Sequence, residues 1–233
     1  TFEKWYKKNV AAFQNSFPRH VSMFHGCYVN YNYPQLGKDL VSVMNALGYG
    51  VHLLENEKCC GTALISNGMI DQAKRNAANN IESMRKSVYE RQMPVISTSS
   101  SCTFTMRDEY PHLLGVKNED VRDYIELATR FIYKLIDQDK VKLVFKKGYK
   151  AKVAYHTPCH MERLGWGIFS TELIKMIPGV ELTVLDSNCC GIAGTYGFKK
   201  ENYEVSQAIG KPLFDQIAKL KPDYVACDCE TCK

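Results

Sequence analysis

"GVELTVLDSNCCGIAG", residues 179–194, decides the fold. Its first eight residues alternate apolar and polar side chains, the period of a half-buried strand. The run then delivers Cys189 and Cys190, followed at once by Gly191. Upstream, "KVAYH" (152–156) is a short β-rich run that ends just before "TPCH", which carries Cys159. Between the two, "GWGIFSTELIKMI" (165–177) sets Ile168, Leu173 and Ile177 at helical spacing. Downstream, residues 206–220 have the pattern of an amphipathic helix, and "DYVACDCETC" (223–232) is a third strand running into Cys229 and Cys232. Strands alternating with helices predict parallel βαβ units with right-handed crossovers. In such sheets the carboxyl ends of the strands form the ligand-binding edge. Every cysteine position here follows a strand, so all are expected at one edge.

The pattern occurs twice. Cys59, Cys60 and Gly61 recur as Cys189, Cys190 and Gly191 at an offset of 130, which also carries Cys102 onto Cys232. Cys27 maps onto Cys159 at an offset of 132, a difference that one small indel explains. The position equivalent to Cys229 is Ser99, so "SSSC" (99–102) is a degenerate form of "CETC" (229–232). "HVSMFHGC" (20–27), a helix over 34–47, "GVHLLENEKCC" (50–60), a helix over 69–89 and "MPVISTSSSC" (93–102) repeat the plan of the second half. The expected fold is therefore α/β, two tandem Rossmann-like βαβαβ units with parallel sheets related by duplication. The expected divisions are a lead-in over 1–19, a first repeat over 20–116, a connector over 117–150 and a second repeat over 151–233. The connector is expected to be helical across 118–139, because Val121, Tyr124, Ile125, Ala128, Phe131, Ile132 and Leu135 form a stripe.

The chain's 233 residues, 45% of them hydrophobic, suffice for a full core without disulfide stapling. No run approaches the length of a membrane-spanning helix, and no secretory signal opens the sequence, so a soluble cytosolic segment is expected. A start at Thr1 suggests a piece of a longer protein. The formal charge of +5 is spread along the chain and no recognition motif accompanies it, so nucleic acid is not an expected partner.

Ten cysteines in a chain that needs no staples point to metal or redox chemistry. Iron–sulfur clusters are held by cysteine thiolates, usually four per cluster. The second half offers five: Cys159, Cys189, Cys190, Cys229 and Cys232. Five thiols invite a non-cubane cluster as well as the cubane 4Fe-4S type. The first half offers Cys27, Cys59, Cys60 and Cys102, enough for a cluster or for zinc. A zinc site or a thioredoxin-like dithiol at Cys229 and Cys232 are the other readings of the second half. Cys227 falls outside the repeat and is expected as a buried thiol.

Gly191, Gly194 and Gly197 form GxxGxxG, which is not a dinucleotide fingerprint. Gly61, Gly191 and Gly194 are instead expected to let the backbone approach a cofactor and offer amides to its sulfurs. His25, His156 and His160 flank the cysteines and are expected to support the site rather than ligate. Arg163, Lys199, Lys200 and Lys233 are expected as solvated cations near that edge. No catalytic triad or P-loop emerges, so a self-contained hydrolase or kinase is not supported.

This arrangement resembles the cysteine-rich CCG domain family, from about Cys27 to Cys232. Its members include the B subunits of heterodisulfide reductases, glycolate oxidase iron-sulfur subunits and the C subunits of anaerobic glycerol-3-phosphate dehydrogenases. "FHGCYVNYNYPQLGKDL", "YHTPCHMERLGW", "CCGIAGTYGFKKENY" and "DCETCK" look most like the last branch. That resemblance implies an electron-transfer subunit working with flavin-containing dehydrogenase subunits and passing electrons towards menaquinone. It also implies a peripheral place at the inner face of the cell membrane. Glycerol 3-phosphate would be oxidised on the partner. Family members add an amino-terminal ferredoxin-like domain and continue past the last cysteine pair. Two alternatives stand beside it: a heterodisulfide-reductase-like catalytic subunit with a non-cubane cluster, and a zinc-stabilised docking module without electron transfer.

Overall fold

A computed structural model describes residues 1–232. Lys233, expected as a cation near the site, lies outside the described residues. Helix α1 (Phe2–Asn9) leads into strand β1 (Arg19–Phe24), helix α2 (Pro34–Ala46) and strand β2 (Tyr49–Leu53). Two helices follow, α3 (Thr62–Ser66) and α4 (Ile70–Arg85), then strand β3 (Val95–Ser97). Short helices α5 (Ser100–Phe104) and α6 (Tyr110–His112) precede strand β4 (Ile125–Leu127) and helix α7 (Ala128–Asp137). The second unit runs β5 (Ala151–Tyr155), α8 (Cys159–Leu164), α9 (Gly167–Lys175), β6 (Val180–Val184), α10 (Tyr203–Leu220) and β7 (Tyr224–Ala226).

The strands form two parallel sheets, in the orders β2-β1-β3-β4 and β6-β5-β7. In each, the first strand of the unit lies in the middle, with the second on one side and the third on the other. Val21 pairs with Val51 and Ser22 with Val95 in the first sheet; Tyr155 pairs with both Val184 and Ala226 in the second. This order leaves a crevice where the crossovers diverge, outside the carboxyl ends of the central strands. The expected parallel α/β duplication is the observed architecture.

One element is corrected. The helix expected across 118–139 is a strand followed by a helix, β4 and then α7. Ile125, Glu126 and Leu127 are buried because they pair with Val95, Ile96 and Ser97, and this pairing overrides the local helical stripe. Buried Glu126 is neutralised by Arg130 and by Lys134 at 2.6 Å, both on the following helix. The third strand of the second unit also ends at Ala226, before Cys227, which is half-buried rather than sealed in a strand.

The two units differ in how much apolar core they own. The first sheet is covered on both faces: one cluster gathers Phe2, Met23, Val41, Met44 and Ile96, and the other Phe24, Ile81, Met84, Met106 and Tyr110. In the second unit the buried cluster is Ala154, Leu185, Cys190 and Leu213, with Cys232 packed against it. Two of the site thiols are thus part of the only packing cluster found for that unit among the described residues.

Away from the cysteines, His52 on β2 lies 3.1 Å from His20 on β1, ring nitrogen to ring nitrogen. Burial, then His20 and Arg91, lower the His52 pKa, so the folded chain resists protonating it. An unfolded histidine titrates near about 6.5. The stability that neutral His52 retains above that pH is lost as pH falls through its depressed folded value. Urea midpoints at pH 7.5, 6 and 5 should fall less steeply for His52→Gln than for the unaltered chain.

Candidate functional site

In the first unit the loops after β1 and β2 are tied by one carboxylate. Glu57 accepts from the His25 and Gly26 amides at 3.0 and 2.8 Å, and His25 Nδ1 lies 2.9 Å from it. The tie brings Cys27 Sγ within 3.9 Å of Cys59 Sγ. From α4, Asn80 clamps the second loop by accepting from the Lys58 amide at 2.8 Å and donating to the Lys58 carbonyl at 3.0 Å. Cys60 is buried, 3.3 Å from Thr62 Oγ1, and its thiol meets that of Cys102 on α5. A β-carbon on Gly26, whose φ is +67°, would lie 3.6 Å from Cys102 Sγ, so the β1 loop closes directly over that sulfur. Cys27, Cys59, Cys60 and Cys102 are therefore brought together from three strand ends.

Ser99, at the degenerate position, has a different task. Its hydroxyl accepts from the Cys102 amide at 3.2 Å and caps the first turn of α5. The oxygen thereby holds the backbone of the helix that carries Cys102, and the hydroxyl also meets the Cys102 thiol and the Glu230 carboxyl.

In the second unit, Cys159 opens α8 directly after β5, an element that helical periodicity had not marked. Cys190 Sγ lies 3.1 Å from Cys232 Sγ, and Cys232 also contacts Cys229. Cys159 contacts Cys189, which accepts from the Gly191 amide at 3.3 Å. All five thiols line one cavity of about 310 Å³. The first unit closes its other side with Thr62, Ile65, Ser66, Ser101 and Glu109, so the cavity lies at the seam between units. Cys227 stays outside it, its Sγ 3.3 Å from the Cys229 carbonyl and its thiol pushed up to about 11 by burial.

The thiols polarise one another. The contact with Cys232 draws Cys190 down to about 4, against burial and with help from His156. Cys229 is held down at about 5 by Cys232, with burial opposing and the Ser101 and Thr231 hydroxyls adding to the effect. Cys232 is pushed up by the same two contacts. In the first unit Cys59 is lowered by Cys27 and Cys60, while Cys27 is raised. The thiolate is the ligating and nucleophilic form of cysteine. In each group, contact with the neighbouring thiols therefore favours the thiolate form at one sulfur over the others.

His156 is 2% exposed, and neither of its ring nitrogens has a hydrogen-bond partner among the described residues. Its ring approaches the Cys190 and Cys232 sulfurs, the three ligand atoms lying within 4.8 Å of one another. His25 is engaged by Glu57, and His160 stacks on Phe104 at 5.0 Å. Arg163, Lys199 and Lys200 are exposed.

The glycines repeat their roles. Gly61 and Gly191 have φ of +103° and +87°, and each amide donates back to the first thiol of its pair, Cys59 or Cys189. Only Gly194 of the three expected glycines lines the seam cavity.

The interface residues Ser101, Asp228 and Glu230 were not legible as site residues. Asp228, 8% exposed, accepts from Tyr155 at 2.5 Å, Ser170 at 3.0 Å and Thr129 at 3.1 Å. Its own carbonyl accepts from the Ser100 amide at 2.7 Å. Glu230 accepts from Thr98 Oγ1 at 2.7 Å and is pushed up to about 7 by burial. The polar run "SSSC" beside a cysteine was the one available signal.

Two sheets of matching strand order, each presenting a single thiol, a Cys-Cys-Gly turn and a third cysteine loop at the same edge, define a tandem cysteine-centred α/β protein. Comparison with known families matches the cysteine-rich domain, CCG, twice, over residues 21–107 and 153–233. The chain belongs to that family. It is 58% identical over its whole length to the C subunit of anaerobic glycerol-3-phosphate dehydrogenase from Escherichia coli (strain K12), of which it spans 58%. Over 77% of the chain it is 34% identical to lactate utilization protein A of Bacillus velezensis, covering 75% of that protein. Over 90% of the chain it is 29% identical to the D subunit of dihydromethanophenazine:CoB--CoM heterodisulfide reductase from Methanosarcina barkeri, covering 51% of it.

A β-carbon on Gly191 would sit 2.1 Å from the Ser206 carbonyl oxygen, at a φ that side chains rarely adopt. At Gly194, φ +71°, the nearest atom is the Ser66 hydroxyl at 2.8 Å, a side chain rather than backbone. In urea unfolding, Gly191→Ala should cost roughly 3 kcal/mol or more, and Gly194→Ala about 1–2 kcal/mol.

Proposed function

We propose that the chain is the iron–sulfur electron-transfer part of a respiratory dehydrogenase. The observation that carries this reading is the convergence of five thiols on one cavity, in a chain so similar to the C subunit of a glycerol-3-phosphate dehydrogenase. In this reading electrons arrive from a flavin-bearing glycerol-3-phosphate dehydrogenase partner and leave towards menaquinone. No helix among the described residues is long and apolar enough to cross a membrane. Attachment at the inner face of the membrane would then be peripheral and through partner subunits.

The donor set fits a cluster. Soft thiolates suit iron and its bridging sulfides. Cys159, Cys189, Cys190, Cys229 and Cys232 would hold the second centre, and Cys27, Cys59, Cys60 and Cys102 the first. An iron–sulfur cluster supplies a centre that accepts and releases single electrons. The protein's own part is to keep thiolates ready, to aim the Gly61 and Gly191 amides at sulfur, and to leave His156 free to donate into the site. A non-cubane 4Fe-4S type accords with five thiols in the second unit.

Zinc fits the first unit less well. Tetrahedral Zn–S bonds of about 2.3 Å place all four sulfurs within about 3.8 Å of one another. Among the described residues no three ligand atoms of the first unit lie within 4.8 Å of one another. The thiols instead contact in series, from Cys27 through Cys59 and Cys60 to Cys102.

Anaerobic reconstitution with iron and sulfide, followed by metal analysis and EPR, tests the reading. Two signals are expected, one lost in Cys232→Ser and the other in Cys60→Ser. Stoichiometric zinc without iron would sink it. Turnover of a heterodisulfide by the chain alone would favour the catalytic relative instead.

A further inference from the structure

The candidate centre of the second unit is not built by that unit alone. Helix α5 of the first unit places Ser101 in the seam, its hydroxyl 2.8 Å from His160 Nδ1 and 3.2 Å from Cys229 Sγ. The placement is held firmly. The Ser100 amide donates to the Asp228 carbonyl at 2.7 Å, and Phe104, one turn on, stacks against the His160 ring at 5.0 Å and 12°. Ser101 lies immediately before Cys102, so a single stretch of backbone serves both cysteine groups.

The direction of the hydrogen bonds follows from the chemistry of the sulfur. A ligating cysteine is a thiolate and has no proton to give. Both contacts of the serine oxygen are then satisfied in one arrangement only: His160 Nδ1–H donates to Ser101 Oγ, and Ser101 O–H donates to Cys229 Sγ. Metal binding at Cys229 would thereby fix the proton position on His160.

We propose that Ser101 is a positioning residue of the second centre, its hydroxyl oriented by His160 and donating to the Cys229 sulfur. The first unit thus contributes, beside Thr231 of the second, to the reduction potential of the centre held by the second. A donor at a ligand sulfur takes up part of the negative charge added on reduction, which favours the reduced form and raises the potential. The inference rests on the iron–sulfur reading above.

Ser101→Ala and Ser101→Thr, made in the full chain and reconstituted anaerobically, test it by iron and sulfide counts with EPR-monitored redox titration. Both variants should hold as much iron as the unaltered chain. For Ser101→Ala, the reduced-to-oxidised ratio of the second centre at fixed ambient potential should fall about tenfold, a shift of about −59 mV for a one-electron couple. Ser101→Thr keeps the hydroxyl and should return the potential, while the signal lost in Cys60→Ser should not move in either. If Ser101→Ala loses iron, His160→Phe, which keeps the stack on Phe104 but removes the Nδ1 that orients the hydroxyl, should move the potential in the same direction by a smaller amount. An unchanged potential in an iron-replete variant overturns the inference and leaves the electron-transfer reading standing. An unaltered chain that takes up no iron overturns both.

Discussion

The carboxylate of Asp228 is the constraint on which the rest of the arrangement depends. Buried at the seam, it gathers hydroxyls from β5, from α7 and from α9, and its carbonyl receives the first amide of α5. Burial raises its pKa, and three donated hydrogen bonds oppose that rise. Asp228 lies between Cys227 and Cys229, so satisfying it fixes the loop that carries two of the five thiols. Glu230 repeats the device one step further on, against Thr98 at the end of β3. A buried acid is expensive to leave unpaired. The seam between the units is therefore a specified contact.

The same loop ties packing to chemistry. The first unit has apolar clusters on both faces of its sheet, one of which includes Cys60, with Cys102 packed against it. The second unit has a small cluster in which Cys190 is a core residue and Cys232 packs alongside. Several apolar side chains of α10, among them Val205, Ile209 and Phe214, remain exposed. With so little apolar area of its own, the second unit depends on its site and on the seam for part of its order. Ligand binding that favours the folded state over the unfolded one is folding free energy in such a unit.

Much of this was legible in the residues. The offset of 130 between the Cys-Cys-Gly turns announced the duplication, and alternating strands and helices announced parallel sheets with all thiols at one edge. What the spacing did not carry was how one unit meets the other. The stripe at residues 121–135 fits a helix by period alone, yet Ile125–Leu127 joins the first sheet because an unpaired edge of β3 waits beside it. Ser101, Asp228 and Glu230 look like ordinary loop residues because their partners lie between 58 and 132 positions away along the chain. A repeat describes each copy by itself; contacts between copies leave no periodic trace.

The cap formed by Ser99 separates the two copies at one equivalent position. Where the second copy has a thiol, the first has an oxygen that holds the opening turn of α5. Returning a cysteine to this position would remove a good capping group from the helix that presents both Cys102 and Ser101. The two copies therefore put the same position to different uses: a thiol at the seam cavity in the second, a cap that sets the start of α5 in the first.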